Sequence, residues 1–308
     1  MVLKKSLFAL VSAVVAATST AIAQPPKRAL SPAEIIAASE PSDWRALSQS
    51  DLLYIALEHG QVAIELQPVL AHAHVERIRA LANAGFYDGL SFYRVIDGFV
   101  AQGGDGFETR DVSDIGALDG EFDQPIPDDL PITSTGEVDG YAAHSGGAVG
   151  YYRSHPIAYS IEHNAMWGLH CTGAMAMARD NAPNTAMTEF YITLQPHRYL
   201  DRNLTVFGRV VDGMEHIQRL RRVTPPSGTT APDHDRGDVI VSMRMGDELD
   251  SEQQRRLEIL DSARPRFQQF LDARRNRPED FFVYRPDYID VCQVAIPVRE
   301  RVRKEARP

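Results

Sequence analysis

Between Phe92 and Asp105 the chain reads FYRVIDGFVAQGGD, which sets a guanidinium (Arg94), an aromatic ring (Phe99) and an amide (Gln102) in one short strand-like run. Arginine stays charged and holds its donors in a rigid fork, so this cluster offers electrostatic and hydrogen-bonding chemistry. Taken alone, such an arginine in a β-rich chain is an ordinary surface ion-pair residue. Other chemistries find less support. His144, His155, His163 and His170 fall close together, yet their spacing matches no compact ligand pattern such as H-E-x-x-H, and no metal is expected. There is no Gly-x-Ser-x-Gly elbow and no phosphate-binding loop. Arg236-Gly237-Asp238 is a turn ahead of a strand. Cys171 and Cys292 lie far apart and allow either one long-range disulfide or two separate buried thiols; spacing does not choose between them.

The elements around these residues read as many short strands with few helices. Ser31-Pro32-Ala33-Glu34 has the grammar of a capped helix start, with the helix running to about Ser39 and ending before Pro41. Residues 51–66 read as a hairpin turning at His59-Gly60. Val75, Ile78 and Leu81 have helical spacing over 71–84, closed by Gly85. Two strands follow over 86–105, with turns at Asp88-Gly89 and Asp97-Gly98. Residues 106–172, rich in Gly, Asp and Pro, form a long insertion. Strand patterning resumes in AMAMA, EFYITL and VFGRVV, with a helix over 212–220 and a closing strand over 238–245. Residues 251–277 read as a charged helix interrupted at Pro265, followed by the extended apolar segment YIDVCQVAIPVR. This pattern predicts a closed or nearly closed antiparallel barrel.

The beginning of the chain has a secretory leader's three parts. Lys4 and Lys5 precede an apolar run over Leu7–Ala17, and Ala21-Ile22-Ala23 offers a cleavage site before Gln24. That run is too short to cross a bilayer, which takes roughly 20 apolar residues. The expected organisation is a signal peptide over 1–23, a leader with a short helix over 24–49, a main domain over 50–247 and a C-terminal extension over 248–308. Cleavage would leave 42 acidic against 30 basic side chains, a net charge near −12. Such a surface repels phosphate backbones and anionic lipid, so neither nucleic acid nor stable membrane insertion is expected.

Three collinear blocks resemble the cyclophilins: residues 92–105, Gly173–Phe190 (GAMAMARDNAPNTAMTEF) and Phe207–Met214 (FGRVVDGM). With the hairpin and first long helix, the resemblance spans roughly residues 50–247. It implies a mainly β fold, a closed antiparallel barrel with capping helices, here carrying the long insertion and a helical and extended C-terminal appendage. It implies cofactor-free peptidyl-prolyl cis-trans isomerisation, with Arg94 and Gln102 catalytic. Phe99, Val100, Tyr191 and Leu200 would line a proline pocket with Tyr199 at its rim, and main chain around Ala178 and Arg179 would pair with an extended peptide. Glu189 stands where many members carry Gln, which places a carboxylate near Arg94. Leu204, Tyr199 and Arg179-Asp180 also depart from common family residues. The C-terminal stretch is similar to that of a divergent, exported bacterial group, which implies a periplasmic enzyme acting on unfolded or proline-containing exported polypeptides. It also implies a tail packed on the barrel and tied through Cys292 to Cys171. The alternative function is a weakly catalytic or non-catalytic chaperone that grips proline segments, or an envelope interaction protein.

Overall fold

The computed structural model describes residues 28–223 and 236–301, so the signal segment expected over 1–23 lies outside the described residues. Eight strands form a closed barrel: Leu52–Leu57 (β1), Gly60–Leu66 (β2), Ser91–Val95 (β3), Val100–Gly104 (β4), Ala174–Met177 (β5), Phe190–Thr193 (β6), Val206–Asp212 (β7) and Asp238–Met245 (β8). Around the barrel they run β5-β6-β4-β3-β8-β1-β2-β7, and β7 closes on β5. Leu57 pairs with Gly60, so the first hairpin turns on Glu58-His59, one residue earlier than expected.

Alternation along each strand divides the side chains between two apolar regions. In β6, Phe190 and Ile192 enter the barrel interior with Phe92, Met175 and Phe207. Tyr191 faces the other way, into a cluster with Val100, Ala174, Ala176 and Val206. Helix His72–Asn83 presses Val75, Ile78 and Leu81 onto the interior, and Met214–Gln218 adds Ile217. The first ends on Gly85, whose φ of 69° lies in the left-handed region that favours glycine.

The insertion folds into its own antiparallel sheet of four strands, Thr133–Ser134, Ala148–Tyr152, His155–Ser160 and Ala165–Gly168. Its central hairpin turns on Arg153 and Ser154, at φ 47° and 66°. Turns of that hand are normally marked by Asn-Gly, so Arg-Ser conceals the hairpin in the sequence. The C-terminal extension corrects the reading of a helix interrupted at Pro265. Leu257–Leu260 is a strand, and Pro265 opens the helix Pro265–Asn276. Proline suits a first helical turn, where its missing N–H has no intrahelical partner.

Leu257–Leu260 lies between Trp44–Ala46 and Val298–Glu300 in a three-stranded sheet, so the leader and the extension pair with each other. That sheet buries Leu52, Tyr54 and Ala63 of the barrel's outer face under Leu47, Leu257 and Ile259. A further core unites the insertion with the C-terminal helix through Tyr151, Trp167, Phe267 and Phe270. Cys171 and Cys292 are disulfide-bonded across a sequence separation of 121. The fully buried Glu65 of β2 joins three parts of the chain, accepting from both Arg45 terminal nitrogens (2.7 and 3.0 Å) and lying 2.8 Å from His155 Nε2.

Candidate active site

The site lies on the outer face of β4, β5 and β6. A slot of about 190 Å³ is lined by Arg94, Phe99, Val100, Gln102, Ala178, Arg179, Tyr191, Leu200 and Leu204. Its apolar members belong to the outward-facing cluster described above. Strict alternation would send Tyr93 and Arg94 to opposite faces of β3. Ser91 pairs with Gly104 but Arg94 with Gln102, so the bulged strand has one residue too many there. A bulge re-aims side chains, and here both Tyr93 and Arg94 reach Gln102.

Arg94 stands at the mouth of the slot with its guanidinium carbon 5.5 Å from the centre of the Phe99 ring. Its Nη1 donates to Gln102 Oε1 at 3.1 Å. The Gln102 amide in turn donates to Glu189 Oε2 at 3.0 Å and to the Tyr93 hydroxyl at 2.5 Å, and that hydroxyl donates to Glu189. Although Glu189 lies near Arg94, the two form no salt bridge; among the described residues Arg94 makes no ion pair. Burial pushes the Glu189 carboxyl above its ordinary value, although the bonds from Tyr93 and Gln102 pull the other way. Gly104 lets β4 come this close to β6: a Cβ there would meet the Glu189 Cα at 3.1 Å.

Glu189 lines a neighbouring pocket of about 360 Å³, which shares Gln102, Ala178 and Arg179 with the slot. Tyr199 lies beyond the slot, 56% exposed, with its ring edge-on to His197. The Ala178 N–H is already given to the Glu189 carbonyl at 2.8 Å. Among the described residues, the Ala178 carbonyl and the Arg179 main chain have no partner. The Arg179 side chain is turned to the carbonyls of Asp180, Asn181 and Asn203.

Two residues of the site escaped the sequence reading. Tyr93 was hidden by the bulge. His170, read only as one of the insertion's histidines, is fully buried beneath the slot. Its Nε2 lies 2.9 Å from the Tyr191 hydroxyl and its Nδ1 2.9 Å from Asp201. Asp201 accepts from Arg198, which also makes a bidentate pair with Asp139 of the insertion. His155 pairs with Glu65, so the histidines of the insertion do not converge.

The family model for cyclophilin-type peptidyl-prolyl cis-trans isomerases matches residues 52–245. A Brucella suis protein named as a probable peptidyl-prolyl cis-trans isomerase is 31% identical over 177 residues, covering 58% of this chain and 74% of its own. The peptidyl-prolyl cis-trans isomerase ppi1 of Schizosaccharomyces pombe is 32% identical over 163 residues, 52% of this chain and 79% of its own. Among solved structures, a cyclophilin from Hirschia baltica superposes with a TM-score of 0.69 at 31% identity, over 84% of this chain and 94% of that one. With its eight-stranded closed barrel and Arg94, Phe99 and Gln102 gathered at one slot, the chain belongs to the cyclophilin-type peptidyl-prolyl cis-trans isomerase family.

Proposed function

We propose that this protein isomerises Xaa-Pro bonds of exported polypeptides, assists their folding in the periplasm, and belongs to the divergent exported bacterial group that its C-terminal stretch resembles. Twisting an Xaa-Pro amide breaks its resonance against a barrier of about 18–20 kcal/mol. As the bond rotates, a lone pair localises on the prolyl nitrogen. A guanidinium beside it gives a hydrogen bond that is stronger in the transition state than in the planar ground state, which is what accelerates a step. Arg94 would supply that bond. Phe99, Val100, Tyr191, Leu200 and Leu204 would hold the pyrrolidine ring, and the Ala178 carbonyl with the Arg179 main chain would dock the peptide as an added strand does.

The observation that carries this reading is that Arg94 is held by an amide oxygen at the mouth of an apolar slot, with no carboxylate neutralising it among the described residues. Export rests on the leader read over residues 1–23. The test is the cis-to-trans conversion of a short Xaa-Pro peptide by wild type and Arg94→Ala. Loss of one transition-state donor is expected to lower kcat/KM by about 10²–10³-fold. Equal rates would refute the role of Arg94. An inactive wild type that still suppresses client aggregation would establish the chaperone instead.

A further inference from the structure

We propose that Glu189, acting with Tyr93, is a positioning residue: it fixes which way round the Gln102 amide sits, and so keeps Arg94 aimed at the slot. The inference rests on the isomerase reading above and concerns residues that do not themselves touch the reacting bond.

A glutamine amide donates at one end and accepts at the other, a carboxylate only accepts, and a guanidinium only donates. Gln102 lies between one of each, 3.0 Å from Glu189 Oε2 and 3.1 Å from Arg94 Nη1. Only one orientation satisfies both. Reversing the amide would set its carbonyl against the carboxylate and its NH₂ against the guanidinium. Tyr93 enforces the same sense: its single O–H is given to Glu189, so it faces Gln102 as an acceptor.

Protonation of Glu189 removes this selection. A carboxylic acid also donates, so the reversed amide becomes acceptable at that end, and Arg94 then faces an NH₂ and loses its acceptor. Burial raises the Glu189 carboxyl, and nearby Asp105 and Asp180 raise it further. The other charged groups of the same pocket are Glu108, Arg110 and Arg179. Both arginines spend hydrogen bonds on main-chain carbonyls, Arg110 on Asp88 and Arg179 on Asp180, Asn181 and Asn203. The ionised carboxylate is therefore the working form, and it must be maintained against its surroundings.

The experiment is the pH profile of kcat and KM for wild type and three variants, on an Xaa-Pro peptide with blocked ends and no titrating side chain. Wild-type kcat is expected to fall on the acid side by about tenfold per pH unit, with KM little changed. Glu189→Gln, which does not titrate, removes that limb. Tyr93→Phe, which deletes a bond favouring the anion, moves it to higher pH; Asp180→Asn, which deletes a like charge, moves it to lower pH. A limb that survives Glu189→Gln, or shifts of opposite sign, overturn the proposal. NMR supplies a second readout in the intact protein: the Gln102 side-chain amide and the Arg94 Nε–H signals must titrate together with the Glu189 carboxyl. Silent signals refute the positioning role even in an active enzyme. Titrating signals in an enzyme without turnover uphold it and refute the isomerase reading.

Discussion

At the scale of single residues, the buried polar groups divide into those that hold the chain together and those that shape the slot. Glu65 is of the first kind. Its carboxylate is fully enclosed and is matched by Arg45 and His155, which come from the leader and the insertion. Glu65→Gln strands the half-buried Arg45, and breaking one partner of a buried pair costs about 3–5 kcal/mol. Urea unfolding is expected to show a loss of that order, with the isomerase site intact. Tyr191 is of the second kind. Tyr191→Phe keeps the ring that lines the slot but leaves the His170 nitrogen without its partner in a fully buried place. The expected loss is about 1–3 kcal/mol of stability, measured by the same unfolding series, with a smaller change in kcat/KM.

Among the elements, the disulfide is the clearest case of a link that the residues alone left open. Cys171 sits beside His170 under the slot and Cys292 belongs to the C-terminal segment, so the bond clamps the tail core onto the barrel's neighbour. A cross-link over a loop of this length is expected to contribute about 2–5 kcal/mol. Replacing both cysteines with serine should lower the thermal midpoint accordingly, and reductant should then have no further effect. The elements that could be read from sequence are those whose signals are local: the capping box at Ser31 and Glu34, the period of Val75, Ile78 and Leu81, and the alternation of the barrel strands. The strands of the insertion were not readable because Arg153-Ser154 replaces the usual turn residues. Leu257–Leu260 was hidden by the charged residues before it, and the one-residue bulge in β3 hid the partnership of Tyr93 with Gln102. Within the site, Arg94, Phe99 and Gln102 were found by their motif, whereas His170 is joined to Tyr191 by tertiary contact alone.

For the whole molecule, the carboxylates set the response to acid. Burial by itself would raise Glu65, Glu121 and Asp139, but His155 with Arg45, His74, and Arg198 respectively more than offset it, and all three lie below their ordinary values. Groups lowered in the folded state contribute stability that is present above the ordinary carboxylate range and is lost as pH falls through their folded values. Glu189 runs the other way: its contribution is present below that range and is lost as pH rises through its raised folded value. With more groups lowered than raised, unfolding free energy is expected to drop below about pH 4, as urea titrations at a series of pH values would show. A chain ending at residue 250 loses Leu257 and Ile259, which cover Leu52 and Tyr54, and is expected to aggregate at temperatures where the full chain stays in solution.

That covering sheet is assembled from distant parts of the chain, with Trp44 opposite Leu260 and Leu257 opposite Glu300. Trp44 must therefore wait for Leu260, and Leu257 for Glu300, before this sheet can form. Contacts so distant along the polymer form slowly. A polypeptide built this way keeps that sheet open until residues 298–300 arrive, and only then clasps shut.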